Sequence, residues 1–321
     1  MISFIVIGKN EGWKLKKCFE SIFKTVEYNK LINYEVIYVD SNSSDNSIEI
    51  AKSFKKIKIF KITDVYNAAI GRNIGAKESN GDVLFFIDGD MEIMPDFLPL
   101  VYSEKEGLNN DFVSGNWMNY YYDKDNNFIS KFPYLNIDVD TIEKVTGGLF
   151  LIKSSIWNDI GGMRSVFKKS QDIDLGLRLA KKRIFLHRKK EIAANHHTIS
   201  YLDKNRMWRD LFSWNHLYAR SLLYRKNILN RYMYGRLFRN EYSIFLLLII
   251  IINLLMEYKS ILFLIVYFSI IIFKSLKKSQ KEYYRIFENS IYFLLRDISV
   301  FIGVFIFFPT QHTNTTIKDV N

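Results

Sequence analysis

Apolar residues in the first third of this chain come in short unbroken runs. Each run is closed by a polar turn and followed by a stretch with the period of a helix. Ile2–Ile7 reads as a buried strand, Tyr34–Val39 and Ile57–Phe60 as two more, and Val83–Ile87, five consecutive apolar residues, as a strand buried on both faces. Trp13–Val26 and Asn67–Ala76 carry helical spacing between those runs. Asn46, with Glu49 three residues on, predicts a capping box at the start of another helix. Such alternation gives a parallel sheet with right-handed crossovers and helices on its faces. Farther along, the pattern predicts a helix over Pro95–Glu106, a strand over Phe112–Tyr122, a turn at Asp123–Asn127 and a glycine-led strand over Thr146–Ile152. It then predicts a helix opening at Gln171 and short strands at Ile184–His187 and Glu191–Ala194, with His196 and His197 following them.

After about Arg225 the pattern changes. Arg225, Lys226, Arg231, Arg236 and Arg239 form a basic, aromatic approach to Ile244–Met256, which is apolar apart from Asn253. Glu257–Ser260 interrupts, Ile261–Phe273 is apolar again, and Lys274, Lys277, Lys278, Lys281 and Arg285 follow. Each arm would reach roughly 22–26 Å as a helix, short of the ~30 Å hydrocarbon core. The pair reads as a thin two-span or re-entrant hairpin in contact with a membrane, and basic outer flanks place both its ends in the cytoplasm. A third apolar stretch, Ile291–Phe308, is broken by Arg296 and Asp297. The competing reading has all three pairing copies of the chain as a homo-oligomer. The boundaries are then 1–225 for a catalytic domain, 226–241 for a basic juxtamembrane linker, 242–308 for the hydrophobic helices and 309–321 for a polar tail.

Composition narrows the partners. The 321 residues are 48% hydrophobic and 16% aromatic, enough for a sizeable core. The net charge of +11 suits phosphate-bearing substrates and anionic lipid. The basic residues flank apolar runs, which suits a lipid surface and not nucleic acid. The one cysteine, Cys18, allows no intrachain disulfide. The chain opens directly in a strand-like run without a basic leader, so the catalytic part is expected on the cytoplasmic face of the membrane.

The chemistry gathers at strand ends. Val83–Ile87 stops abruptly in Asp88-Gly89-Asp90, two carboxylates one residue apart at the carboxyl edge of the sheet, where open α/β sheets bind ligands. Oxygen ligands of this kind suit Mg²⁺ or Mn²⁺, completed by water and substrate phosphates. Asp40 ends a strand at the same edge and could accept hydrogen bonds from a base or a ribose. Arg72, on the small-residue helix, could reach a diphosphate. Gly147 and Gly148 would let a ligand approach the backbone, or form a bulge. Asp172 stands in the first turn of a helix, either complementing the helix dipole or acting as a general base. Beside a metal, His196 or His197 could be a ligand. Neither the dinucleotide fingerprint nor the P-loop pattern follows the first strand.

Together these pieces resemble the family 2 glycosyltransferases, the inverting group with the GT-A fold. The resemblance rests on Phe4–Glu11, Val39–Asp45, Arg72–Ala76, Asp88–Asp90, Thr146–Gly148, Ile160–Gly162 and Asp172–Leu179, in the family's order over roughly the first 220 residues. It implies an α/β, Rossmann-like, mostly parallel sheet flanked by helices, followed here by a membrane-associated helical region. It also implies a sugar transferred from a nucleotide donor, UDP first, to a hydroxyl of a glycan or lipid-linked acceptor in cell-surface polysaccharide synthesis. By matched position, Asp40 contacts the base, Asp88 the ribose or nucleotide, Asp90 holds the metal, and Asp172 is the base. The chain departs from the pattern at Gln171, where the family has an acid, and it lacks the Q-x-x-R-W motif of processive members. The rival readings are a nucleotidyltransferase on a related sheet and an inactive membrane-bound scaffold.

Overall fold

The structure is a computed structural model, and it describes residues 1–199, 206–256, 261–279, 283–310 and 315–320. The break at Glu257–Ser260 and Lys281 lie outside the described residues. The chain divides into two compact units, Met1–Tyr201 with Thr310–Asn321, and Leu202–Pro309.

The first unit is built on β1 (Ile2–Gly8), α1 (Trp13–Tyr28), β2 (Tyr34–Asp40), α2 (Ser47–Lys52), β3 (Ile57–Ile62), α3 (Ala68–Lys77) and β4 (Val83–Asp88). β1 lies between β2 and β4, and β3 lies outside β2, all parallel. Successive residues of β1 serve opposite faces. Phe4 and Val6 pack with Leu15 and Phe19 of α1, whereas Ile5 packs with Leu84 and Phe86 on the other side. The small residues of α3 let it lie tight on the sheet. A Cβ on Gly75 would come within 2.2 Å of Ile5 Cγ2. The expected capping box is absent: Asn46 makes no side-chain cap bond, and Asp45 Oδ1 instead accepts from the Ser47 amide at 3.0 Å.

Beyond β4 the sheet becomes mixed. β5 (Met91–Ile93) follows at once, then a single 3₁₀ turn at Leu98–Leu100 and a small hairpin of β6 (Tyr102–Ser103) and β7 (Gly107–Leu108). The helix expected over Pro95–Glu106 does not form. Pro99 removes an interior amide donor, and Gly107 turns the chain at φ +75°. Next come β8 (Phe112–Tyr122), β9 (Phe128–Pro133), β10 (Thr141–Glu143), β11 (Phe150–Lys153), α4 (Ser154–Ile160), α5 (Gln171–Lys181) and β12 (Leu186–Ile199). β12 replaces the two short strands expected there. Its pairing with β8 shifts register near Ile192, and it carries both histidines inside the strand. The order across the sheet is β10-β12-β8-β11-β4-β1-β2-β3-β13, where β13 (Ile317–Asp319) brings the chain's end back antiparallel to β3.

The second unit is helical: α6 (Arg206–Phe212), α7 (Asn215–Leu217), a π-helical turn at Tyr218–Leu222, α8 (Leu223–Lys226), α9 (Arg231–Asn240), α10 (Tyr242–Leu255), α11 (Ile261–Ser279) and α12 (Arg285–Ile306). Residues 206–225 belong here: Ser221 Oγ donates to the Val300 carbonyl and Tyr224 to Glu241. Arg296 and Asp297 are buried and paired, with Ser243 Oγ also donating to Asp297. Among the described residues one helix, α12, is long and apolar enough to cross a membrane. There are two such elements if α9 and α10, bent by 84°, count as one.

Candidate active site

The carboxyl ends of β1, β2 and β4 meet at one edge, where a cleft of about 250 Å³ opens between Gly8, Glu11, Ser41, Asn67, Asp88 and Asp90. α3 starts beside it, its first turn closed by Asn67, which accepts from the Ile70 amide at 2.9 Å. A larger cavity of about 410 Å³, lined by Asn73, Lys77, Arg164 and Thr315 among others, contains none of the expected acids.

Asp88 ends β4 over a buried guanidinium. Arg72 Nη2 lies 2.5 Å from Asp88 Oδ1, and Arg72 is only 3% exposed. Arg72 therefore positions Asp88 from beneath, and in this geometry it does not reach into the cleft. Gly148 closes the other side: its carbonyl accepts the Asp88 amide, and a Cβ there would sit 2.2 Å from Asp88 Oδ2. Its lack of a side chain serves the protein's own carboxylate. Burial, opposed by Arg72 and reinforced by Asp90, raises the Asp88 carboxyl to about 6.

Asp90 faces His196, Oδ2 to Nε2 at 3.1 Å. The other ring nitrogen, Nδ1, lies 2.8 Å from Asn119 Oδ1, an acceptor, so with Asn119 so placed Nδ1 donates. Nε2 and the carboxylate then meet lone pair to lone pair unless something positive lies between them. A proton satisfies this, and so does a hard cation. Burial favours the neutral forms, but the contact overrides it on both sides. Asp90 is held below the usual carboxylate range and His196 above the usual imidazole range. Among the described residues no group of three or more His, Cys, Asp or Glu is set to hold a metal alone. Asp90 and His196 offer two ligands, leaving the remaining positions to water and substrate oxygens, which is how Mg²⁺ is commonly held.

His197 does not join them. Adjacent strand residues point to opposite faces. His197 is 3% exposed, with Nδ1 at 2.9 Å from Tyr122 Oη and Nε2 at 3.0 Å from Glu92 Oε2. Because the Tyr122 hydroxyl can donate to Nδ1 while Nε2–H donates to Glu92, this ring is satisfied as neutral imidazole without a cation, unlike His196, and it packs on the opposite face of the strand. Asp40 is also displaced from its expected part. It is fully buried, and its oxygens accept from Tyr38 Oη at 2.9 Å and from the Ser43 amide at 2.8 Å. It shapes the turn that presents Ser41 to the cleft.

Glu11 was not singled out by its chemistry, although the Asn10-Glu11 turn belongs to the recognised pattern. It lines the cleft 2.5 Å from Lys14 Nζ, and burial followed by the charge of Asp90 raises its carboxyl. The acids reach below the floor as well. Burial, then Asp90 and Asp88, push the Cys18 thiol well up.

Asp172 and Asp174 share the first turn of α5 and part company in the structure. Asp174 is fully buried, clamped by Arg164 Nη1 at 2.8 Å and Arg178 Nε at 2.9 Å. Arg178 in turn donates to the carbonyls of Ile160 and Gly162. This structural pair seats the helix start. Asp172 lies four residues before Gly176 and so on the same helical face. Gly176 lies against the Lys144 backbone, where a Cβ would come within 2.0 Å of the carbonyl oxygen. That face therefore packs on Lys144, and Asp172 is among the charges that raise the Asp88 carboxyl. Gly147, at φ +71°, packs under Trp117, where a Cβ would meet the indole at 2.5 Å.

The family model described as Glycosyl transferase family 2 matches residues 3–185. Glycosyltransferase GlyG of Streptococcus pneumoniae is 30% identical over 124 residues, covering 37% of this chain and 40% of that protein. Poly(ribitol-phosphate) beta-N-acetylglucosaminyltransferase TarP of Staphylococcus aureus is 29% identical over 120 residues, 36% of each chain. The chain spans about two-fifths of the length of the curated relatives it matches. S. aureus TarS 1-349 in complex with UDP-GlcNAc is similar in structure at a TM-score of 0.49 and 11% identity, over 69% of this chain and 66% of that one.

Proposed function

Because this chain belongs to glycosyl transferase family 2, which it matches over residues 3–185, we propose that it moves a sugar from a nucleoside diphosphate donor, UDP first, to a hydroxyl of a glycan or lipid-linked acceptor. The supporting observation is the cleft itself: Glu11, Asp88 and Asp90 line it at the sheet edge, His196 meets Asp90, and Asp172 is among the charges that raise the Asp88 carboxyl. Family membership weighs against the nucleotidyltransferase reading, and the assembled acids weigh against the inactive scaffold.

In this reading Asp90 and His196 hold Mg²⁺ or Mn²⁺, which when bound neutralises charge on the diphosphate leaving group. Asp88, held between Arg72 and Gly148, receives the donor's ribose or sugar hydroxyls. Asp172 takes the proton of the acceptor hydroxyl as its oxygen bonds to C1. The bond from C1 to the diphosphate oxygen breaks on the opposite face, the nucleoside diphosphate leaves, and the anomeric centre inverts. A base so placed contributes about 10²–10⁴-fold.

The second unit supports a site at a membrane. Its helices expose large apolar side chains, among them Ile261 at 70%, Phe273 at 64%, Phe305 at 63% and Ile306 at 71%. An apolar surface that extensive, with Lys277 and Lys278 in the last turn of α11, suits an anionic lipid surface. The function is tested by incubating the full chain with a panel of UDP, GDP and dTDP sugars and Mn²⁺. The expected result is release of the nucleoside diphosphate from one sugar class, abolished by chelator. Release of pyrophosphate, or binding of no nucleotide sugar, overturns the reading.

A further inference from the structure

A second set of residues stands on the side of the acids away from Asp40. Trp117, on β8, is 4% exposed, and Tyr134, just past β9, lies flat on it, ring centroids 3.8 Å apart and planes 14° from parallel. Arg188 backs the pair, its guanidinium 5.2 Å from the Trp117 ring and 5.5 Å from the Tyr134 ring. This arginine is fully buried and fully used. It donates to Glu143, Ser114 Oγ and the carbonyls of Gly115 and Val145. The stack is thus a rigid fixture, tied to the segment that carries Gly147 and Gly148. Tyr134 nevertheless remains 39% exposed, with its amide bonded to the Trp117 carbonyl at 2.8 Å. One face of the ring is covered by Trp117, and its exposed part is available to a ligand.

Its surroundings say what that is. Gly147 lies under Trp117, Gly148 lies against Asp88, and Gly176 sets the Asp172 face of α5 on Lys144. The Asp172 charge reaches Tyr134 as it reaches Asp88. The sheet order puts β2, with Asp40 and Ser41, on the far side of β4 from β8. A donor running from Ser41 to Asp88 therefore leaves the β8 side to the other substrate. We propose that the exposed ring of Tyr134 is the platform for a pyranose ring of the acceptor, which places a ring hydroxyl at Asp172, so that the acceptor ends in a sugar. The axial C–H bonds of a pyranose form an apolar face that packs on an aromatic ring, while its hydroxyls stay at the rim. This inference rests on the proposed transferase reading and narrows its acceptor from any hydroxyl to a glycoside.

The test uses the full chain in a sugar-free detergent with UDP and Mn²⁺. Saturation-transfer NMR is recorded with methyl pyranosides of glucose, galactose, mannose, N-acetylglucosamine and N-acetylgalactosamine. At least one should receive saturation from the protein's aromatic protons at its ring C–H positions. Tyr134→Leu, which still covers Trp117 but has no π face, should weaken that binding about tenfold, and Tyr134→Trp should retain it. Asp172→Asn should bind the glycoside like the wild type while losing transfer. Binding of no pyranoside, or equal binding by folded Tyr134→Leu, overturns the platform and leaves Asp172 as base untouched. Transfer by Asp172→Asn overturns the base and leaves the platform standing.

Discussion

The parallel sheet carries acids at both of its edges, and the two edges treat them in opposite ways. At the amino edge Glu35 is 9% exposed and accepts from Ser3 Oγ at 2.7 Å, the Asn80 amide at 2.5 Å and Lys58 Nζ at 2.7 Å. Burial alone would raise its carboxyl, but these donors outweigh it and hold it below 4.5. At the carboxyl edge Glu11, Asp88 and Asp90 crowd one cleft, and burial with mutual repulsion raises Glu11 and Asp88. One acid with three donors is an anchor. Three acids sharing Arg72, Lys14 and His196 are a site that gains most when a cation or a substrate arrives.

If that contrast holds, changes at the carboxyl edge should remove activity and spare stability, and changes at the amino edge should do the reverse. The largest effect is expected from Asp172→Asn, which should lower transfer about 10²–10⁴-fold while donor affinity stays near wild type. Turnover and donor binding measured on one preparation decide it, and near-normal turnover removes Asp172 from its role. Asp90→Ala should weaken donor binding at least about tenfold in Mn²⁺, leaving an affinity that no longer responds to the metal. Its unfolding free energy should stay within about 1 kcal/mol of wild type, because the loss of a His196 contact is offset by relief among the acids. Metal-responsive binding in that variant would contradict the assignment.

Glu35→Ala should cost about 1–3 kcal/mol in urea unfolding, since it strands the buried Ser3 hydroxyl and the Asn80 amide, with unchanged turnover per folded molecule. The smallest effect is in the pH dependence. The Glu35 carboxyl is lowered in the folded chain, so its stabilisation is complete above the unfolded value of 4.5 and is lost as pH falls through the folded value. Glu35→Gln should flatten that acid limb and leave neutral pH little altered in slope. An acid limb identical to wild type would show that Glu35 carries none of it.

Much of this was legible along the chain. Apolar runs located β1, β2 and β4, and the aspartates that close β2 and β4 marked the edge where the cleft lies, because strands buried on both faces keep few polar residues. The small residues of α3 were legible for the same reason, since only glycine at 75 avoids Ile5. Proline and short-range register escaped the pattern. Pro99 broke a stretch whose spacing looked helical, and β12 ran straight through the gap between two shorter predicted strands. The helix that passes for a membrane span, α12, is the one interrupted by Arg296 and Asp297. Their burial inside the helical unit explains how an apolar segment tolerates them.

The sequence by itself determined which residue types stand at the ends of which strands, and so where charge collects, because strand length and hydrophobic pattern are local properties. Only the tertiary structure decided what each of those residues does. Whether Asp40 and Arg72 face a ligand or brace the protein, which of His196 and His197 meets Asp90, and which of Asp172 and Asp174 is clamped in the core all depend on partners far along the chain. Those partners come within reach only when the sheet closes, and no one-dimensional spacing encodes their distances.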